Sequence, residues 1–147
     1  MDTKSLLKLL VETESPSHDK AAVDKVGLIV AEEARKLGAH VETVENVETG
    51  NHVISKWGSG KNQILFLCHL DTVFSLNTIH KMPYREADGK IFGPGTLDMK
   101  SGIVIALGAI EDAIKNGMAR SVTLLCTSDE EIGSETSRDF SPKKIGR

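Results

Sequence analysis

The spacing of apolar residues predicts two helices near the start of the chain. Over residues 20–37 apolar side chains recur every three or four positions, which is the period of an amphipathic helix. Gly38 follows this segment and is a typical helix end. A shorter helix is predicted over residues 5–11, and Ser15-Pro16-Ser17 supplies hydrogen-bonding side chains suited to cap the helix that follows.

After residue 39 the pattern changes to short extended segments, predicted at residues 40–47, 52–57 and 63–68. Residues 64–68 are continuously apolar, and residues 122–126, apolar except at Thr123, likewise show no apolar–polar alternation, which indicates strands covered on both faces at the centre of a sheet. Between them lie a hairpin turning at Asp88-Gly89 and an apolar helix over residues 101–116, ended by Gly117. A strand, a helical crossover and a second buried strand predict a βαβ unit and an α/β fold.

Composition narrows the class of protein. The chain has 147 residues, 39% of them hydrophobic, which is enough for one globular domain with its own core. Its formal net charge of −3 offers no basic field for nucleic acid or for an anionic membrane. No apolar run reaches the ~20 residues of a membrane span, and the start does not resemble a signal peptide. We therefore expect a soluble, cytoplasmic protein whose two cysteines, Cys68 and Cys126, are packed as reduced thiols.

Polar residues follow both buried strands. His69 and Asp71 come directly after the first, and because side chains alternate in extended chain, the two can face the same side. A carboxylate beside an imidazole suits a metal-binding histidine, although a turn-stabilising pair is the commoner arrangement. The other histidines have no such partner at short spacing and are assigned to surface or turn positions: His18, His40, His52 and His80.

Acidic residues reach the same edge of the sheet from two more segments. Ser128-Asp129-Glu130-Glu131 follows the second strand, where adjacent like charges raise one another's pKa unless a cation lies among them. Asp98 precedes the crossover helix, where it is either a ligand or an N-cap. A solvated acidic loop is the alternative for the first segment. One imidazole with several carboxylates suits zinc, with cobalt or manganese as alternatives, and a bridging carboxylate would hold two metals.

Three segments together resemble motifs of the M20 metallopeptidases, the group of glutamate carboxypeptidases, acetylornithine deacetylases and succinyl-diaminopimelate desuccinylases. The resemblance is greatest to the glutamate carboxypeptidase branch and runs from the first helix to about Asp139. The segments are His69-Leu70-Asp71-Thr72-Val73, Gly93-Pro94-Gly95 with Asp98-Met99-Lys100, and Thr127-Ser128-Asp129-Glu130-Glu131-Ile132-Gly133-Ser134. The resemblance implies a three-layer α/β/α mixed sheet of the zinc-exopeptidase type.

The same resemblance implies a role for each candidate residue. His69 would bind one zinc ion and Asp71 would orient it, while Glu131 would bind a second zinc ion. Asp98 would bridge the two, with a cis peptide bond to Met99. Glu130 would be the general base in hydrolysis of an amide bond, without a covalent intermediate. The implied substrate is a small peptide or N-acyl amino acid, with release of a carboxyl-terminal glutamate.

The chain also departs from the family pattern. Family members take one further acidic and one further histidine ligand from later segments, so residues 1–147 would form only the amino-terminal portion of one catalytic domain, incomplete at its carboxyl-terminal side and without a lid or dimerisation domain. We expect weak zinc binding, little hydrolysis and a tendency to form homo-oligomers through an uncovered edge. The alternative is a non-catalytic α/β binding or oligomerisation module left by truncation.

Two remaining features are assigned from the residues alone. Gly93-Pro94-Gly95 lacks both the dinucleotide fingerprint and the phosphate-loop ending, so a nucleotide-binding domain is disfavoured. Lys100 stands at a helix start, where solvation is a commoner role for lysine than a function in the site.

Overall fold

The computed structural model describes residues 1–60 and 62–138, which fold into a mixed α/β arrangement. Its helices and strands, in chain order, are α1 (Thr3–Glu12), α2 (Lys20–Lys36), β1 (His40–Val44), β2 (His52–Trp57), β3 (Gln63–His69), β4 (Arg85–Ala87), β5 (Lys90–Phe92), α3 (Ser101–Lys115) and β6 (Ser121–Thr127). In the part of the chain so described, no helix combines the length and the apolar character needed to cross a membrane.

The main sheet has four strands in the order β1-β2-β6-β3. β1 pairs with β2 and β2 with β6 in antiparallel fashion, whereas β3 and β6 are parallel, with His69 opposite Thr127. β3, α3 and β6 thus form the predicted βαβ unit. Because paired parallel strands end at the same edge, the polar residues that follow β3 and β6 meet there.

The helices lie close to where the apolar period places them, but their caps differ from the prediction. α1 begins earlier than predicted because the Asp2 carboxylate accepts hydrogen bonds from the Lys4 and Ser5 amides at 3.1 and 3.2 Å. α2 is capped by Asp19, which accepts from the Ala22 amide at 3.0 Å. The prediction that Ser15 and Ser17 cap this helix is therefore wrong, and their hydroxyls bond elsewhere.

One face of the sheet carries the core. Residues that alternate along the strands, such as Val53, Trp57 and Leu124, pack against apolar side chains of α1, α2 and α3. Cys68 and Cys126 face each other across β3 and β6 on this face, and both are buried free thiols, as predicted. The α/β class is confirmed, and the core places all three described helices on this one face. The described residues therefore form two of the three predicted layers.

The position of β3 differs from the prediction. β6 is an interior strand with buried residues from Val122 onward, as its apolar sequence predicts. Within residues 1–60 and 62–138, however, β3 pairs only with β6 and forms the edge of the sheet. Leu65 and Leu67 are 45% and 62% exposed. An apolar run indicates that a strand is suited to burial, but it does not specify which elements cover it, so the prediction of a central β3 is wrong for the described residues.

Candidate functional site

His69 is the last residue of β3 and is buried at the edge where β3 and β6 end. Its Nδ1 lies 3.0 Å from the backbone oxygen of Asp71. Because a carbonyl oxygen can only accept, Nδ1 carries the hydrogen and donates it. Nε2 therefore faces two carboxylates, at 3.0 Å from Asp98 Oδ1 and 3.8 Å from Glu130 Oε2. The backbone of Asp71 thus fixes the orientation of this imidazole, with the Asp71 carboxylate slightly farther away at 3.4 Å.

This environment favours positive charge at Nε2 of His69. Burial lowers the pKa of the imidazole, but hydrogen bonds with Asp71 and Asp98 outweigh burial and raise the pKa to about 9. A neutral ring would direct its Nε2 lone pair at the Asp98 carboxylate, which is unfavourable. The site therefore favours either a proton or a metal cation at this nitrogen, and the residues present fit a bound divalent metal.

The Asp71 carboxylate links His69 to the two glutamates. Its side chain is fully buried, with Oδ1 accepting from the Glu130 amide and Oδ2 from the Glu131 amide, both at 3.2 Å. Oδ2 also accepts from the Ser17 hydroxyl at 2.7 Å. Burial raises the pKa of Asp71, but hydrogen bonds with His69, Ser17 and the Glu131 amide outweigh it and lower the pKa below its ordinary value. Asp71 is therefore a buried anion that holds the glutamate turn in place.

Glu130 and Glu131 lie in a single helical turn, Glu130–Ile132, after β6. Ligand atoms of His69, Glu130 and Glu131 all lie within 4.8 Å of one another. Burial raises the pKa of Glu131, the His69 charge opposes this, and the negative charges of neighbouring carboxylates add to it. One nitrogen and two carboxylate ligands form a donor set that suits zinc. Either glutamate can be a ligand by distance alone.

Asp98 lies in the turn Thr96–Lys100, and a cis peptide bond joins it to Met99, as the resemblance implies. Its side chain is 73% exposed, beside the buried imidazole of His69. The N-cap position of α3 is occupied by Lys100, so the alternative role of Asp98 as an N-cap is wrong. Met99 attaches this turn to β3, since its sulfur accepts a hydrogen bond from the His69 amide at 3.1 Å.

Lys100 is the residue whose predicted environment differs most clearly from the structure. Its side chain is one of the largest that are fully buried, and the residue is 2% exposed. Nζ donates to the backbone oxygens of Leu10 and Thr13, at 2.8 Å each, at the carboxyl-terminal end of α1. The prediction of a solvated lysine is therefore wrong. Short-range spacing carries no signal for this role, because Leu10 and Thr13 lie 90 and 87 residues away along the chain.

A second polar network lies behind the glutamate turn. His52, predicted at the surface, is buried, and its Nδ1 accepts from the Ser128 amide at 3.2 Å. Its Nε2 lies 3.3 Å from the Thr136 hydroxyl, which donates to Asp129 Oδ2 at 2.7 Å. Asp129 also accepts from the Thr136 amide at 2.7 Å. Of the three consecutive acids, Asp129 therefore anchors the following loop, while Glu130 and Glu131 form the cluster with His69.

A cleft of about 530 Å³ opens beside the cluster. Its polar lining includes His69, Asp98 and Glu130, and its apolar lining includes Leu67 and Leu125. A pocket with apolar walls and a few convergent polar groups is the usual form of a small-molecule site.

Comparison with known proteins places the chain in a family. The model of the peptidase family M20/M25/M40 matches residues 65–145. Carboxypeptidase G2 of Pseudomonas sp. is 30% identical over 139 residues, which cover 91% of this chain and 34% of the relative. Succinyl-diaminopimelate desuccinylase of Rickettsia typhi is 32% identical over 133 residues, covering 85% of this chain and 35% of the relative.

Comparison with solved structures identifies proteins of the same family. An M20 family metallo-carboxypeptidase from Sulfolobus solfataricus superposes with a TM-score of 0.78 at 22% identity, over 91% of this chain and 32% of that structure. The chain thus spans about a third of the length of the curated relatives it matches. Because the family model covers more than half of the 147 residues, this chain belongs to the peptidase family M20/M25/M40.

Proposed function

We propose that the chain forms the amino-terminal portion of the catalytic domain of a zinc-dependent amide hydrolase. The observation that carries this proposal is the convergence of His69, Glu130 and Glu131 within 4.8 Å, at the edge where β3 and β6 end. Asp98 lies against the same imidazole at 3.0 Å. Membership of a peptidase family supports a hydrolytic role for this cluster.

In this proposal His69, Asp98 and Glu131 would hold the metal. Asp98 would be shared by two zinc ions in the complete site, with cobalt or manganese as alternatives. When bound, the metal lowers the pKa of a water molecule and polarises the scissile carbonyl. His69 presents Nε2 because its Nδ1 hydrogen is donated to the Asp71 carbonyl.

Glu130 is the proposed general base. Its side chain is 54% exposed, so it can reach both the cluster and the cleft. Its carboxylate takes a proton from the attacking water and gives that proton to the leaving amine. Asp71 has a positioning role, since its carboxylate accepts from the Glu130 and Glu131 amides. Neither cysteine is a suitable nucleophile, because both are buried in the core.

The proposed substrate is a small peptide or N-acyl amino acid, with release of a carboxyl-terminal glutamate in the cytoplasm. The relatives' names, a carboxypeptidase and a desuccinylase, support this class of substrate. The apolar and polar walls of the cleft suit a compact molecule with both kinds of group. Asp98 and Glu131 with His69 give each of two metals only two protein ligands, and a catalytic zinc normally has three. We therefore propose that these 147 residues alone bind zinc weakly and hydrolyse slowly.

Zinc titration of the wild-type chain and of two histidine variants tests the proposal. The chain is expected to bind zinc and to release glutamate slowly from N-acyl glutamates, with both effects removed by a chelator. His69→Gln is expected to lower zinc affinity at least about tenfold, because it removes the nitrogen ligand. His80→Gln is the matched control, since His80 is exposed in another turn and is not part of the cluster formed by His69, Glu130 and Glu131. Equal affinity in the two variants would place zinc binding outside the cluster and contradict the proposal.

Self-association through β3 is a second proposal, and it agrees with the alternative of an oligomerisation module. Residues 63–68 contain no charged side chain, and β3 forms an edge of the described sheet with Leu65 and Leu67 exposed. An apolar, uncharged edge strand can pair with the same strand of a second copy.

A lysine on this edge tests the pairing. Leu67→Lys is expected to shift the chain toward monomer by about tenfold in dissociation constant, because the charge would lie beside the apolar side chains of the paired strand on the same face of the sheet. Leu28→Lys on α2 is the matched control, since Leu28 and Leu67 are 61% and 62% exposed. Sedimentation velocity over a range of concentrations measures the effect. If the wild-type chain is monomeric throughout, or both lysines act alike, β3 does not mediate association.

A further inference from the structure

We propose that Ser17 is a positioning residue of the metal site, acting through Asp71. Its hydroxyl fixes the carboxylate that in turn holds both His69 and the Glu130–Glu131 turn. This inference rests on the proposed function, because it assigns Ser17 to the same metal-binding cluster. Ser17 lies 54 positions before Asp71 and reaches it from the loop between α1 and α2.

The Ser17 contact is the shortest that the Asp71 carboxylate makes among the described residues. The distance from Ser17 Oγ to Asp71 Oδ2 is 2.7 Å, against 3.2 Å for each glutamate amide and 3.4 Å for His69 Nδ1. Hydrogen bonds to an ionised acceptor are shorter and stronger than neutral ones. Ser17 is itself 4% exposed, so water does not readily replace its hydroxyl.

The backbone holds Ser17 at this place. The Thr72 amide donates to the Ser15 oxygen at 2.8 Å, and the Ser17 amide donates to the Thr72 oxygen at 3.3 Å. This short parallel bridge lays the loop along the segment that follows β3. The Ser17 hydroxyl also lies 3.3 Å from the Thr72 oxygen, but its single hydrogen is directed better at the closer, charged carboxylate.

Loss of the hydroxyl changes the site rather than only the loop. Without it, Oδ2 of the buried Asp71 keeps the Glu131 amide as its donor at 3.2 Å. A buried anion that loses its strongest donor reorients toward its remaining partners. Any rotation of this carboxylate moves the acceptors of both glutamate amides at once. The glutamate turn then loses its fixed place opposite His69, and metal affinity falls.

Ser15 provides a matched control in the same loop. It is 1% exposed, and its hydroxyl donates to the Leu70 backbone oxygen at 2.8 Å. Ser15→Ala and Ser17→Ala therefore each remove one buried hydroxyl and one hydrogen bond of similar length. They differ in that only Ser17 reaches the Asp71 carboxylate, so a purely structural role predicts the same effect for both.

The experiment compares these variants by zinc titration and by hydrogen exchange of backbone amides without metal. Ser17→Ala is expected to lower zinc affinity about tenfold, as for residues that support metal ligands, and to speed exchange at the Glu130 and Glu131 amides. Ser15→Ala is expected to change zinc affinity less than about twofold and to leave those amides protected. Ser17→Thr, which keeps the hydroxyl, is expected to restore both readouts.

The outcomes separate this inference from the proposed function. Equal zinc affinity and equal amide protection in Ser17→Ala and Ser15→Ala would overturn the role of Ser17, while leaving the zinc site intact. A wild-type chain that binds no zinc would contradict the proposed function and, with it, the role of Ser17 in a metal site. In that case amide exchange still decides whether Ser17 orders the glutamate turn.

Discussion

Replacing Glu130 with glutamine is expected to lower the rate of amide hydrolysis about 1000-fold, within the range that a general base contributes. Glutamine has nearly the same size and shape as glutamate, but its amide cannot accept a proton at neutral pH. The substitution also leaves the Glu130 backbone amide free to donate to Asp71. The loss therefore reports on proton transfer and not on the position of the turn.

Zinc affinity supplies a second readout that does not depend on turnover. Distance does not separate the two glutamates, because both offer an oxygen within 4.8 Å of the other ligand atoms. If Glu130 is the base and Glu131 the ligand, Glu130→Gln retains zinc affinity within about threefold, and Glu131→Gln loses at least about tenfold. The two variants are matched, since they make the same change at adjacent positions of one turn.

Excess zinc distinguishes the variants again. Hydrolysis by Glu131→Gln is expected to recover in part as zinc is added, because a weakened site can still be filled. Hydrolysis by Glu130→Gln is expected to remain low at every zinc concentration. The reverse pattern would exchange the roles of the two residues. Equal losses of zinc affinity in both variants would show that both glutamates bind metal and that the base lies elsewhere.

The meeting of the site residues could be predicted from the sequence because it follows from topology. His69 ends β3 and Glu130 follows β6, and a helical crossover makes such strands parallel. Parallel strands end at one edge, so the short-range pattern fixes where their polar residues meet. Asp98 reaches the same edge because the turn Thr96–Lys100 opens the crossover helix.

The supporting residues could not be predicted in the same way. Ser17 bonds to Asp71 across 54 positions, and the backbone oxygens that receive Lys100 lie 87 and 90 positions away. Apolar periodicity reports which face of an element is buried, but it does not report where a loop crosses another. The local pattern therefore assigned Ser17 to a helix cap and Lys100 to solvent, which are the commonest roles for those residue types at such positions.

The exposure of β3 also could not be predicted from the sequence. The apolar sequence of residues 64–68 indicates a strand suited to burial on both faces, and β6 with the same character is indeed interior. Leu65 and Leu67 nevertheless remain exposed in the described chain. A hydrophobic run indicates that a strand is suited to packing against other elements. Only the tertiary arrangement shows which elements pack against it.

The buried ammonium of Lys100 makes the stability of the chain rise with pH in the alkaline range. Burial lowers the pKa of this lysine to about 8 from its ordinary value of 10.5, and the charge of Glu14 opposes the shift. Between these two values the unfolded chain binds the proton more tightly than the folded chain does. The contribution of Lys100 to the free energy of unfolding therefore rises with pH across this window. The cost of burying the charge is present below pH 8 and is removed above pH 10.5.

Lys100→Met isolates this contribution, because methionine fills similar space and does not titrate. From pH 7 to pH 10.5 the free energy of unfolding of the wild-type chain is expected to rise relative to Lys100→Met by about 3 kcal/mol, as the shift in pKa implies. Urea unfolding of both proteins at both pH values gives this difference, and groups that titrate in both proteins cancel. Lys25→Met is the matched control, since Lys25 is exposed on α2. A difference that stays flat would mean that the carbonyl oxygens of Leu10 and Thr13 fully offset the cost of burying the charge.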